Sequence, residues 1–272
     1  MGCAMKHKDG QPLDVAAQRI TTALEWSDLV LDAQTIGQVQ EIRSWIVHSA
    51  QLLGEWGLGR RLKPGFRSLF HGAPGTGKRL AACLLGKVTG CPVYRIDIWR
   101  ILCLTPGESV TAIDTLFDTA RHENWILFFG EADAVFGKRT EARDSRDRYA
   151  DQQTAYLLQR LEDHAGVVIL TTNKRDAIDE DFARRLQSAI LFPLPDAGAR
   201  LELWRNNFAN PAFRLAADVD LHRIAQEHEL PGGCIVNVLR FAALAAAERK
   251  PATVELRDIL DAIRREIDAG RA

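Results

Sequence analysis

An α/β fold is predicted by three features of the sequence. Short apolar stretches alternate with segments of helical period, the pattern of a parallel sheet flanked by helices. A glycine-rich loop joins the first apolar stretch to a helix, and from about Asp196 onward the strand signal ends. The expected architecture is an αβα sandwich with a five-stranded parallel sheet, followed by a small all-helical domain. The matching division is a flexible N-terminal arm over 1–24, the αβα domain over 25–195 and the helical domain over 196–272.

Met1 to Asp14 is polar and mixed in charge, without the apolar core of a signal peptide, and Met1 to Thr22 is expected to form a poorly ordered arm. Glu25 to Leu31 reads as a short extended piece with Trp26 as a packing anchor. Ile36, Val39, Ile42 and Ile46 then recur at helical spacing among Gln, Glu and Arg, which gives an amphipathic helix. Trp56 to Gly59 and Lys63 to Gly65 form a linker; a plain spacer and a surface against an adenine ring are both open readings. Arg67 to His71 is the first buried strand, and Leu80 to Leu85 belongs to the helix after it. Pro92 to Ile98 alternates as a second strand, and Ile113, Leu116 and Phe117 mark a helix over 111–121. Trp125 to Phe129 is wholly apolar, as a strand covered on both faces should be. Gly166 to Asn173 is the fourth strand, and Ala189 to Phe192 is the fifth, stopped by Pro193 and Pro195. Four helices follow: Leu201 to Phe208, Leu221 to His228, Cys234 to Glu248 and Val254 to Ile267. The last carries Leu256, Ile259, Leu260, Ile263 and Ile267 on one stripe.

The glycine loop carries the chemistry. Gly72, four residues (Ala73, Pro74, Gly75, Thr76), Gly77 and Lys78 match the P-loop spacing. A backbone that turns its N–H groups toward phosphate oxygens needs positive φ and close approach, which glycine tolerates. Lys78 supplies a point charge, and the helix opening through Arg79 and Leu80 points its positive end at an anion. A Gly-rich turn between strand and helix is the plain alternative. The pattern asks for Ser or Thr after Lys78 to hold Mg²⁺, and this chain has Arg79 instead. Ligands of parallel sheets sit at the carboxyl ends of the strands, and Glu131 and Asn173 fall at that edge with the loop. The loop points clearly to nucleotide phosphate and only poorly to Mg²⁺-dependent hydrolysis.

Composition narrows the classes. The 272 residues are 46% hydrophobic with 35 basic against 36 acidic side chains, which fits a globular protein and disfavours broad nucleic-acid or membrane binding. No apolar run approaches the roughly 20 residues of a membrane span. The cysteines (Cys3, Cys83, Cys91, Cys103, Cys234) are scattered and lack CxxC spacing, so neither a metal nor a disulfide framework is expected and a cytoplasmic setting fits. The charged stretch Lys138 to Arg148 mixes its signs and reads as a solvated loop rather than a nucleic-acid surface.

Taken together, these residues resemble an AAA+ ATPase module over roughly Glu25 to Ile267. The likeness rests on the loop from Gly72 to Lys78, the apolar strand ending near Glu131, Asn173 at a strand tip and the run Asp181 to Leu186. Trp125 to Arg139, Tyr156 to Glu162 and Pro231 to Arg240 look most like the AAA ATPases associated with phage-tail-like contractile injection systems. The resemblance implies a P-loop NTPase sandwich with a helical lid, ATP or ADP as ligand, and a ring, hexameric in the family. It implies that Gly72, Ala73, Pro74, Gly75, Thr76, Gly77, Lys78, Arg79 and Leu80 surround the phosphates. Glu131 would polarise the attacking water, Asn173 would orient it, and Arg184 and Arg185 would be arginine fingers reaching a neighbouring subunit. Gly232 and Gly233 would open a helix over the base, and Arg240 is a second-sensor candidate or a plain surface arginine.

Three departures from the family pattern bear on activity. Arg79 replaces the Mg²⁺-binding hydroxyl, Gly130 replaces the aspartate before the catalytic glutamate, and Thr105 and Pro106 stand where related ATPases carry a gripping aromatic residue. The first two make the site more positive by two charges, about what Mg²⁺ would supply. Arg79 then either contacts phosphate in place of the metal or pairs with Glu131 and closes the pocket. Asp133 either recruits the metal or caps the next helix. The expected function is an ATP-binding ring subunit with impaired or absent hydrolysis, a pseudoenzyme acting as partner or regulator. A working Mg²⁺-dependent ATPase for protein remodelling and a nucleotide-free scaffold are the alternatives.

Overall fold

The structure, a computed structural model, describes residues 16–137 and 145–270. These fall into two compact groups interleaved along the chain. One comprises the described residues up to Ala23, Gly37–His71 and Ala82–Ile190; the other comprises Leu24–Ile36, Gly72–Ala81 and the described residues from Leu191 on.

The first group is built on a sheet of β1 (Ala17–Ile20), β2 (Phe66–His71), β3 (Val93–Ile96), β4 (Ile126–Phe129), β5 (Val167–Thr172) and β6 (Ser188–Leu191), in the order β1-β3-β4-β5-β2-β6. Strands β3, β4, β5 and β2 run parallel to one another, and β1 is antiparallel to β3. The sheet is therefore six-stranded and mixed, not five-stranded and parallel as the sequence suggests. The added strand lies inside the stretch read as an arm, where Ala17 pairs with Ile96 and Ile20 with Val93. Only Ile20 is buried in it. Its place is set by the free edge of β3, not by an apolar pattern of its own.

The central strands are apolar because both faces are covered. Leu69, Leu127, Phe129, Val168 and Leu170 join one core cluster with Ile113, Leu116, Leu157 and Leu161 from the helices. The alternate residues Phe70, Phe128 and Ile169 are equally buried but lie outside that cluster, on the opposite face. This accounts for the helices Ala33–Leu53, Lys78–Thr89, Pro106–His122 and Ser145–Asp163, whose apolar stripes need a sheet to cover.

Just past Ser145–Asp163, His164 is buried edge-on against Phe117, with no hydrogen-bond partner for Nε2. Burial, together with the cations Arg67, Arg160 and Arg121, pushes its imidazolium down to about 4. The folded state thus holds a neutral ring that the unfolded chain protonates near pH 6.5. Stability from this group is complete above that value and is lost as pH falls toward 4, by about 3 kcal/mol in all. Thermal melts between pH 7 and pH 4.5 are expected to fall less steeply for His164→Leu than for the parent chain. Parallel slopes would remove His164 as the cause.

The second group contains the helices Ala197–Phe208, Leu221–Glu227, Gly232–Ala247 and Leu256–Asp268 around a core that includes Trp204, Ile235, Val238 and Ile259. Buried Arg200 ties the first of these helices to the second and to the segment before it, donating from Nε to the Ala225 carbonyl (2.8 Å) and from a terminal nitrogen to that of Pro195 (2.7 Å). This part is not all-helical. β7 (Arg214–Leu215) and β8 (Thr253–Val254) pair in parallel, a two-residue ladder too short to leave a periodic signal. The predicted extended piece at Glu25 is likewise a 3₁₀ turn, Trp26–Asp28, closed by the Glu25 N–H on the Asp28 carboxylate at 2.7 Å. No helix among the described residues is long and apolar enough to cross a membrane.

Candidate phosphate-binding site

β2 ends at His71, and the glycine loop follows at once, running into the Lys78–Thr89 helix. Gly72, Gly75 and Gly77 take φ values of +140°, +76° and +98°, a region closed to most side chains. Space is as restrictive as conformation. A Cβ on Gly77 would come within 2.7 Å of Leu29 Cδ1, and one on Gly75 within 3.3 Å of Gly233 Cα. The Gly233 N–H donates to the Gly75 carbonyl at 2.9 Å, so the loop itself caps the start of the Gly232–Ala247 helix.

Inside the loop, Lys78 Nζ donates to the carbonyls of Gly72 (2.6 Å) and Ala73 (2.7 Å), and Thr76 Oγ1 donates to the Ala73 carbonyl (2.8 Å). Burial pushes the Lys78 ammonium down to about 8. The carbonyls are thereby gathered on the lysine. Among the described residues, the N–H groups of Gly75, Thr76 and Gly77 have no acceptor. Orphaned donors in a glycine loop at a helix N-terminus form a cradle for an anion. These residues fit the phosphates of a nucleotide. Pro74 and Arg79 are exposed, and Leu80 is half-buried in the first helical turn.

In the other group, β4 and β5 run side by side with Phe129 opposite Leu170. Glu131 and Asn173 therefore leave the same edge, and both are exposed. Glu131 takes φ +53°, unusual for a residue with a side chain. The following Ala132 N–H anchors the turn on the Thr171 carbonyl at 2.8 Å. A Cβ on Gly130 would meet nothing within 4 Å, so the missing aspartate is a change of chemistry and not of space. Asp133 opens the short helix Asp133–Phe136 as its first residue, with Ala132 at the cap position. Among the described residues no group of three His, Cys, Asp or Glu side chains is placed to hold a metal ion.

The two arginines differ. Arg185 is paired with Glu162 and also donates from Nε to the Asp181 carbonyl. Glu162 is held in turn, because the buried Arg67 guanidinium takes its carbonyl at 2.8 Å. Arg184 leaves 77% of its side chain in solvent, with the Asp181 carboxylate 3.8 Å away. The N–H and the hydroxyl of Thr105 both donate to Glu108 (3.2 and 2.8 Å), fastening the start of Pro106–His122. Of the charged stretch Lys138 to Arg148, residues 138–144 lie outside the described residues. Arg240 is exposed on its helix.

Residues 68–194 match the model of the ATPase family associated with various cellular activities, AAA. Over that stretch, a little under half of the chain, the sequence is similar to the ATPase domains of this family. The match covers the glycine loop, Glu131, Asn173, Arg184 and Arg185, and stops short of Gly233. The sequence alone does not show that Leu29 sits against Gly77 or that Gly233 sits on Gly75. Those contacts join stretches more than 40 residues apart, and no local pattern announces them.

Proposed function

We propose that this chain is an AAA+ ATP-binding protein whose own hydrolysis is impaired or absent, and which serves a ring as partner or regulatory subunit. The observation that carries the reading is the phosphate loop. It has orphaned N–H groups and a desolvated lysine, followed by Arg79 where a metal-binding hydroxyl belongs. Arg79 is exposed in the first helical turn, a position from which a guanidinium can reach phosphate oxygen. Arg184, little engaged by its own chain, suits a finger offered to the next subunit, while Arg185 holds that segment in place. The likeness of Trp125 to Arg139 to ATPases of contractile injection systems suggests the kind of assembly that the ring serves.

Calorimetric titration of ATP with Mg²⁺ and again with EDTA tests this reading. Similar affinity in both is the expected result, with turnover at background level. Strict Mg²⁺ dependence with turnover abolished by Glu131→Gln would establish a working ATPase instead. No binding in either condition would leave a scaffold that kept the fold without the ligand.

A further inference from the structure

At the opposite edge of the same sheet, where β4 begins at Ile126 and β5 at Val167, lies a groove of about 340 Å³. That volume is at the lower end of ordinary ligand sites. Its lining includes the indoles of Trp45 and Trp125, with Ser49, Arg121, Asn124 and Gly166 around them. Both indoles are held from outside the groove. Trp125 stacks on Tyr94 at 3.6 Å between centroids, and Trp45 tilts against Phe66 at 5.8 Å. The polar groups are uncommitted: among the described residues the side chains of Arg121, Ser49 and Asn124 have no hydrogen-bond or ion-pair partner. The lining contains no acidic residue.

We propose that this groove binds a small planar aromatic carboxylate. The two indoles, each held by its own neighbouring ring, supply fixed surface for an aromatic ring at little entropic cost. The lone guanidinium, with an amide and a hydroxyl beside it, supplies the donors a carboxylate takes. Aliphatic ligands would leave the indole faces unused, and an aromatic cation would face Arg121. The site is separate from the phosphate loop chemistry, because Glu131 and Asn173 leave the other ends of β4 and β5.

The test uses 2-naphthoate as probe and the indole N–H signals of the six tryptophans as reporters, assigned with Trp45→Phe and Trp125→Phe. Titration should move the Trp45 and Trp125 signals with a dissociation constant around 1 mM, as expected for a ligand of that size in an open groove. Arg121→Gln should weaken binding about tenfold while leaving the other indole signals in place, which certifies the fold. 2-Naphthylmethylamine should bind about tenfold more weakly than the carboxylate. Signals of Trp45 and Trp125 that stay fixed would overturn the proposal. So would equal binding of the amine, or naphthoate binding unaffected by Arg121→Gln.

Discussion

On the proposed function, the double variant Arg79→Thr, Gly130→Asp is expected to make nucleotide binding depend on Mg²⁺ where the parent chain binds without it. The resemblance assigns both positions to one ion, and the changes restore its two anchors. Neither change is opposed by packing: Arg79 is exposed, and a Cβ on Gly130 meets nothing within 4 Å. Stability should therefore move by no more than about 0.5 kcal/mol. Removing the guanidinium deletes charge-assisted hydrogen bonds to phosphate, so ATP affinity in EDTA should fall at least tenfold. With Mg²⁺ the affinity should recover and turnover should rise above background, then vanish on adding Glu131→Gln. Calorimetry and a phosphate-release assay read both quantities. Unchanged affinity in EDTA would mean that Arg79 never touched the phosphates.

The largest loss of stability is expected from Gly72→Ala. Its Cβ would lie 2.1 Å from the Phe192 carbonyl oxygen, and its φ of +140° is closed to alanine. Backbone faces backbone here, so no side-chain rotation relieves the clash. A cost of about 3 kcal/mol or more follows, seen as a fall in melting temperature of roughly 6–12 °C. Nucleotide binding should go with it, because the loop could no longer hold its shape. Gly57→Ala is the control. It shares a positive φ (+68°) but meets nothing within 4 Å, and should cost about 1 kcal/mol. Equal melting of the two variants would refute the steric account.

What the sequence could reveal tracks where each element's information resides. β4 and β5 announce themselves because burial on both faces leaves an unbroken apolar run, Ile126 to Phe129 and Val167 to Leu170. The loop is equally legible, since positive φ at Gly72, Gly75 and Gly77 leaves few residue choices. β1 is not legible. Ala17, Gln18 and Arg19 carry no strand pattern, and their partners lie some 75 residues away in β3. The Trp26–Asp28 turn is fixed by the Asp28 carboxylate, which accepts from the Glu25 N–H and leaves no periodic signal. Arg184 and Arg185 look equivalent as text, and the contacts of Arg185 with Glu162 and the Asp181 carbonyl separate them.

The contact between Gly233 and Gly75 has a consequence for where this protein can be divided. The stretch that matches the family model, 68–194, is shorter than the unit that shapes its own loop. Leu29 precedes the stretch and braces Gly77; Gly233 follows it and takes the Gly75 carbonyl. A fragment trimmed to the recognisable portion would keep every signature residue and shed both braces. The likeness is read from the middle, but the loop in that middle is given its form by the flanks.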